Sequence, residues 1–194
     1  IAQLNHERLL AMDRETFRSP ALLAYQGIQY QYMAPVVFAD QELAYISRHL
    51  RILSGFYGLL RPLDGVVPYR LEMQAKAQVA GTKNLYAFWG DKLYKALLDE
   101  SRIVVNLASK EYSKAITPHL TPQDQLITCT FGELAGEKIV QKGVYVKIAR
   151  GEMVRYLAQA GSDDPEVLQQ FHGSGGYQYD AARSTPEEWV FLKK

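Results

Sequence analysis

The sequence predicts a mixed α/β (α+β) fold with a mixed sheet flanked by helices, on the basis of three observations. Short apolar runs that are typical of strands are interleaved with segments of helical periodicity. The 194 residues are enough for one good-sized core, so residues 1–194 are predicted to form a single compact domain. The hydrophobic share of 47% and the charged share of 22% are those of an ordinary globular protein.

The first half of the chain is predicted to be mainly helical. Apolar spacing favours a helix over residues 1–12 and another over 41–50, which Asp40 can cap. Between them, aromatic and apolar residues alternate with glutamine over 28–32, which favours a half-buried strand. A long helix is expected to begin near Tyr86 and to continue past the glycine that follows Trp89. Its aromatic cluster is the densest in the sequence, so Trp89 is expected to be buried.

The second half alternates strands with helices. The run IVVNLAS is typical of a fully buried strand that leads into a helix. A turn is predicted near Gly136, and Gly161 suits the left-handed end of a helix. This first strand starts at Ile103 and turns into a helix at Ser109, and further strands are predicted at 126–131, 137–141 and 188–194. Further helices are predicted at 145–161 and from Asp164 onward.

Composition limits the classes of partner. The net charge is +1, so any attraction to nucleic acid must come from local clusters of Lys and Arg. The single cysteine, Cys129, rules out an internal disulfide and is expected to be a buried structural thiol. The sequence has neither an apolar run long enough to span a membrane nor a signal-peptide pattern, so a cytoplasmic protein without a membrane partner is predicted.

Several common catalytic and metal-binding motifs are absent from the sequence. It has no phosphate-binding loop of the Walker type, no GxSxG elbow and no HExxH helix. The histidines His6, His49, His119 and His172 are far apart and lack the spacing of metal ligands. No cofactor and no metal site is therefore predicted.

The stretch LRILSGFYGLLRPLDGVVPYRLEM, residues 50–73, is apolar and irregular but carries isolated charges. Arg61 precedes a proline, which favours an extended backbone at that position. Charged groups in such a segment are either paired with each other or available to a ligand. For Arg70 and Glu72 both alternatives stay open: an internal ion pair that holds the loop, or groups in or beside a concave site.

Two further segments carry clustered basic residues. In NLASKEYSKAI, a strand end leads into a helix start, a setting that favours anions, and Lys110 and Lys114 lie one turn apart. On the helix at 145–161, Lys147, Arg150 and Arg155 fall within an arc of roughly 140°. Each segment is either a solvated surface or a strip of phosphate contacts.

Taken in order, these blocks, with LYAFWGDKL, KIARGEMVRYL and the closing GYQYD and EWVFLKK, resemble the YaaA family of bacterial cytoplasmic proteins associated with peroxide stress. The resemblance covers nearly the whole chain and implies a fold specific to that family. It also implies DNA binding without sequence specificity, because LSGFYG is similar to the hairpin of a helix-hairpin-helix motif, in which glycine amides approach a phosphate. The family opens with a short strand and a further segment that this sequence is expected to lack.

Two functional hypotheses follow. The leading one is a stress-response protein that binds duplex or distorted DNA through a basic cleft. Its predicted DNA contacts are Ser54, Gly55, Tyr57, Gly58, Arg61, Arg70, Lys110, Lys114, Lys147, Arg150 and Arg155. The alternative is an enzyme that acts on a small anionic or nucleotide-like substrate. Its pocket would be lined by Arg61, Arg70, Glu72, Asn106 and Lys147. An iron-handling protein is least favoured, because the sequence has no ligand cluster.

Overall fold

The computed structural model describes residues 18–98 and 101–194, together with 3, 6 and 7, which are helical. Most of the helix predicted over residues 1–12 therefore lies outside the described residues. The contacts divide the chain into two compact units. The first unit comprises Ile1–Ala24, Leu50–Arg102 and Ala108–Asp124, and the second comprises Tyr25–His49, Ile103–Leu107 and Gln125–Lys194.

Helices and short strands alternate along the chain. In the first half they are β1 (Ser19–Pro20), α1 (Ala21–Ala24), α2 (Ile28–Met33), α3 (Asp40–His49), β2 (Ile52–Ser54), β3 (Gly58–Leu60), β4 (Gly65–Val66), α4 (Leu85–Trp89) and α5 (Lys92–Leu97). In the second half they are β5 (Ile103–Asn106), α6 (Lys110–Ser113), β6 (Gln125–Ala135), β7 (Lys138–Val140), α7 (Gly143–Ala160), β8 (Tyr177–Tyr179) and β9 (Glu188–Lys193). Short 3-10 helices lie at Pro35–Val37, Thr117–His119, Pro165–Gln170 and Ala181–Arg183.

The first unit is built around two small antiparallel pairs and a helical cluster. Strand β1 pairs with β4, and β2 pairs with β3. Its core contains Met73, Leu85 and Leu93, which are at most 2% exposed. Trp89 is only partly buried; it packs against this core, and its Nε1 donates to the carbonyl of Gly55 at 3.1 Å.

The long helix predicted from Tyr86 is interrupted. The side chain of Asn84 accepts a hydrogen bond from the amide of Ala87 and caps α4, which then ends at Gly90. Gly90 has φ +51° and so leaves the helical conformation, after which α5 begins. The segment is thus two short helices.

The second unit contains the main sheet, and it confirms the predicted mixed α/β class. The strand order is β5-β6-β9-β8, and β7 pairs with β6. Strands β5 and β9 run parallel to β6, whereas β7 and β8 run antiparallel to their neighbours. Strand β5 was expected to be fully buried, but it lies at one end of this order, and Ile103 is 47% exposed. Gly136 makes the predicted turn with φ +64°.

One face of this sheet is covered by α7, and the core between them is strongly aromatic. Phe131, Phe171, Tyr177 and Phe191 are at most 2% exposed and contact one another through their rings. The densest aromatic cluster is therefore in this unit and not around Trp89. Among the described residues, no helix is long and apolar enough to cross a bilayer.

The strand predicted at 28–32 is wrong, because these residues form helix α2. The alternation with glutamine fits period 2, but no strand in the described part of the chain pairs with this segment. It packs instead along α7 at Gly151, where an added Cβ would lie 2.2 Å from the carbonyl oxygen of Gln29. Tertiary packing against a neighbouring helix has decided the conformation here.

Candidate nucleic-acid interface

The predicted hairpin is the turn between β2 and β3, and its polar groups are largely engaged inside the first unit. Ser54 is fully buried, and its Oγ accepts hydrogen bonds from the amides of Phe56 at 3.1 Å and Tyr57 at 2.9 Å. The same hydroxyl lies 2.6 Å from the hydroxyl of Tyr69. The amides of Phe56 and Tyr57, which lie between the two glycines of the turn, therefore already have an internal acceptor.

The glycines of this turn are required by close packing. An added Cβ on Gly55 would lie 2.7 Å from the carbonyl oxygen of Leu71. Gly58 has φ +83°, and a Cβ there would lie 2.7 Å from the ring of Trp89. The turn is flanked by strands β2 and β3, so a helix does not directly adjoin it on either side. A phosphate contact at this turn stays a prediction.

Arg70 and Glu72 form an ion pair, with 3.3 Å between Nε and Oε1. Their side chains are 65% and 43% exposed. A hydrogen bond from the backbone amide of Glu72, followed by the one from Arg70, lowers the pKa of the Glu72 carboxyl. Neither residue lines the two cavities described below. Arg61 is exposed, and its backbone amide donates to Asp64 at 2.7 Å.

A lysine-bearing cavity of about 580 Å³ lies in the first unit, beside the segment that follows Met73. It is lined by Gln74, Ala75, Lys76, Gln78, Lys83, Asn84 and Tyr86. Both lysines are exposed, and the lining includes no carboxylate. Lys76 and Lys83 have no recognisable signal in the sequence, because they lie outside the clustered motifs and only the fold brings them to one concave surface.

Helix α6 adds a third lysine to the edge of this cavity. The Lys114 ammonium lies 5.3 Å from the ring centroid of Tyr86, a lining residue. The Tyr86 hydroxyl donates to the carbonyl of Glu111 at 2.9 Å, and the Glu111 carboxylate accepts from the amide of Gln74 at 3.2 Å. These bonds tie α6 to the cavity wall. Lys110, on the same helix, is also exposed.

The basic residues of helix α7 do not form one exposed strip. Lys147 is exposed, whereas Arg150 and Arg155 are partly buried. The Nε of Arg150 is buried without a hydrogen-bond partner among the described residues, and burial lowers the pKa of its guanidinium. The reason is that α7 buries residues on more than one side, against the aromatic core and against α2. Arg155 lines a second cavity, which lies in the second unit.

The residues of the alternative pocket are divided between the units. Arg61, Arg70 and Glu72 belong to the first unit, whereas Asn106 and Lys147 belong to the second. The Asn106 side-chain amide donates to the hydroxyl of Thr128 at 3.2 Å, which links β5 to β6.

The described residues contain no group of three or more His, Cys, Asp or Glu side chains that could hold a metal ion. Cys129 is 1% exposed on β6, and burial raises the pKa of its thiol to about 12. Burial therefore keeps this thiol protonated and chemically quiet.

Comparison with known proteins gives a consistent family. A family model described as peroxide stress protein YaaA matches residues 1–183. A UPF0246 protein of Agathobacter rectalis is 52% identical over 194 residues, which are 100% of this chain and 78% of that relative. A second, of Desulfitobacterium hafniense, is 51% identical over 193 residues, covering 100% of this chain and 76% of the relative. A third, of Pediococcus pentosaceus, is also 51% identical over 193 residues, which are 100% of this chain and 76% of that relative.

Proposed function

The chain belongs to the peroxide stress protein YaaA family, and from this premise we propose that it binds duplex or distorted DNA without sequence specificity during peroxide stress. The binding surface is local, because a net charge of +1 provides no general attraction to a polyanion. Phosphate contacts from lysine and arginine supply affinity without reading the bases.

The observation that carries the proposal is the cluster of three lysines around the cavity of the first unit. Lys76 and Lys83 line it, and Lys114 lies over the Tyr86 ring at its edge. None of the three has an ion-pair partner within 4.0 Å among the described residues. Long lysine side chains on an open surface can follow phosphates of an irregular backbone, which suits binding without sequence preference.

The proposal keeps the exposed members of the set predicted from the sequence. Arg61, Arg70 and Lys110 in the first unit and Lys147 in the second are exposed, and each is offered as a further phosphate contact. Arg150 and Arg155 are left out of the proposed contacts because they are partly buried. The hairpin at 54–58 contributes by holding the first unit together, since its hydroxyl, amides and glycines make internal contacts.

Salt dependence tests the proposal. Affinity for a fluorescein-labelled 20-base-pair duplex, and for the same duplex with a central bulge, is measured by anisotropy over a series of salt concentrations. Each phosphate contact contributes about 0.9 to the slope of log affinity against log salt. A double variant with Lys76→Gln and Lys83→Gln should therefore flatten the slope by roughly two units for every sequence used.

A matched control removes the same charge from the same unit. Lys92→Gln with Lys95→Gln, on α5, also lowers the net charge by two but leaves the cavity lining unchanged. Its lost Lys95–Asp91 ion pair is exposed and contributes little stability. The control should keep the wild-type slope. Equal slopes for both double variants would show that only net charge matters, and an absence of DNA binding by the wild-type protein would refute the proposal.

A further inference from the structure

The second unit contains a cavity of about 310 Å³ whose lining combines aromatic rings, carboxamides and one guanidinium. Helices α2 and α7 and the segment after the 3-10 helix Pro165–Gln170 form its walls. It is lined by Gln31, Tyr32, Ala34, Glu152, Arg155, Tyr156, Gln159, Phe171, His172 and Ser174. A cavity of this size is at the small end of those that bind small molecules.

Close helix packing brings the first two walls together. Gly151 lets α2 approach α7 so closely that a Cβ would lie 2.2 Å from the Gln29 carbonyl oxygen and 2.9 Å from the Met33 amide nitrogen. The side chains of Gln31 and Tyr32, on α2, therefore line the same cavity as residues of the next turns of α7.

The third wall is held by a carboxylate. Glu152 accepts a hydrogen bond from the amide of Ser174 at 3.1 Å and a second, short one from the Ser174 hydroxyl. The bonds go to different oxygens, so both ends of the carboxylate are engaged by one residue. The segment that carries His172 is thereby fixed beside α7.

Two aromatic rings of the cavity lining, those of Phe171 and Tyr156, are also held in fixed positions. Phe171 is 1% exposed, and the Tyr156 ring meets it edge to face with centroids 5.6 Å apart. The Tyr156 hydroxyl donates to the carbonyl of Val167 at 3.1 Å, which fixes the orientation of the ring. Tyr32 is 41% exposed and offers a ring at the opposite wall.

Arg155 is the cation of this cavity. Among the described residues it forms no ion pair, and both oxygens of Glu152, one turn earlier on α7, are taken by Ser174. A partly buried guanidinium without a carboxylate partner is well suited to an anionic group with planar or bidentate geometry, such as a phosphate.

We propose that this cavity binds a single nucleotide, that is, one nucleobase carrying one phosphate group. Aromatic rings favour stacking with a base, and the side chains of Gln31 and Gln159 can donate to and accept from its edge. Arg155 receives the phosphate. The volume of about 310 Å³ accommodates one nucleotide and excludes a duplex, so the site is distinct from the lysine cluster of the first unit.

Isothermal titration with the four common ribonucleoside 5′-monophosphates tests this proposal on the intact protein. At least one nucleotide should bind, and the matching nucleoside, which lacks the phosphate, should have an affinity lower by a factor of about ten or more. Arg155→Gln should weaken the nucleotide by a similar factor and leave the nucleoside unchanged. Lys138→Gln, an exposed lysine of β7 in the same unit but outside the cavity, is the matched control and should bind like the wild type.

Two further arms complete the experiment. The affinity for a 5′-phosphorylated single-stranded tetranucleotide is compared with the affinity for the free nucleotide. Tighter binding of the tetranucleotide would identify the ligand as the end of a strand, and tighter binding of the mononucleotide would identify it as a free nucleotide. Tyr32→Ala, at an exposed ring, should weaken base binding even if Arg155→Gln fails to fold. The proposal would be overturned if neither the nucleotides nor the tetranucleotide bound wild-type protein at millimolar concentration. It would also be overturned if both cavity variants bound the nucleotide as tightly as the wild type does. The DNA test with Lys76 and Lys83 is independent of this result.

Discussion

Replacing Gly151 by alanine should destabilise the second unit, although alanine is the better helix former. The added Cβ would lie 2.2 Å from the Gln29 carbonyl oxygen, so α2 must move away by about 1 Å. Overpacking of this kind costs about 1–3 kcal/mol, and the obstacle is backbone, which yields less than a side chain. The gain in helix propensity is about 1 kcal/mol at most. The cost should therefore lie at the upper end of that range, about 3 kcal/mol, and the net loss should be about 2 kcal/mol.

Thermal unfolding followed by circular dichroism measures this effect. For a chain of this length a loss of about 2 kcal/mol corresponds to a Tm lower by about 4–8 °C. Gly143→Ala is the control, because it lies in the first turn of the same helix with nothing within 4 Å of an added Cβ, and its Tm should be unchanged or higher. An unchanged Tm for Gly151→Ala would refute the packing of α2 on α7, and with it one wall of the proposed nucleotide site.

Three other predictions concern single side chains. Cys129, whose pKa burial raises to about 12, should not react with Ellman's reagent at pH 8 in the native protein but should react fully in urea; rapid native labelling would contradict its burial. A hydrogen bond from the Thr121 amide, with further bonds from Arg102 and Tyr94, holds the pKa of Asp124 far below its usual value. The ionised Asp124 therefore stabilises the folded protein above about pH 4, and this stabilisation is lost as the pH falls below that value. The difference in urea midpoint between wild type and Asp124→Asn should thus be larger at pH 6 than at pH 3, and an equal difference at both would count against this assignment. Asn84→Ala, which removes the cap of α4, should cost about 1 kcal/mol of unfolding free energy, and an unchanged urea midpoint would show that the cap is dispensable.

Features with a local signal were predicted well from the sequence. Helix α3 begins at Asp40, one residue before the predicted start, and α7 ends before Gly161, which has the predicted left-handed conformation with φ 59°. The turn at Gly136 and strand β9 also lie where the apolar pattern put them. The family predicted from the ordered blocks is confirmed over residues 1–183. Capping residues, glycines and apolar runs act through near neighbours, so they can be interpreted without the fold.

Features that depend on distant partners were not predictable. Helix α2 was mistaken for a strand because its partner, the bare backbone at Gly151, is remote in sequence. The burial of Arg150 depends on what packs against each side of α7, which helical periodicity alone does not give. Lys76 and Lys83 show no motif, and their common cavity forms only when the loop between them folds back onto the tyrosine of α4.

The position of β9 has a consequence for how the chain acquires its structure during synthesis. In sequence, β9 follows every other described strand, yet in the sheet it lies between β6 and β8. While the ribosome is still making the preceding segment, β6 lacks the neighbour that pairs with Thr128–Gly132, and the rings of Phe131 and Phe171 lack Phe191. Until β9 has been made, the second unit therefore has an unpaired strand edge and exposed aromatic side chains. Such a state favours chaperone binding or aggregation. Folding of the second unit is therefore expected to be governed by the slow, long-range pairing of β6 with β9, which cannot begin before β9 has been made.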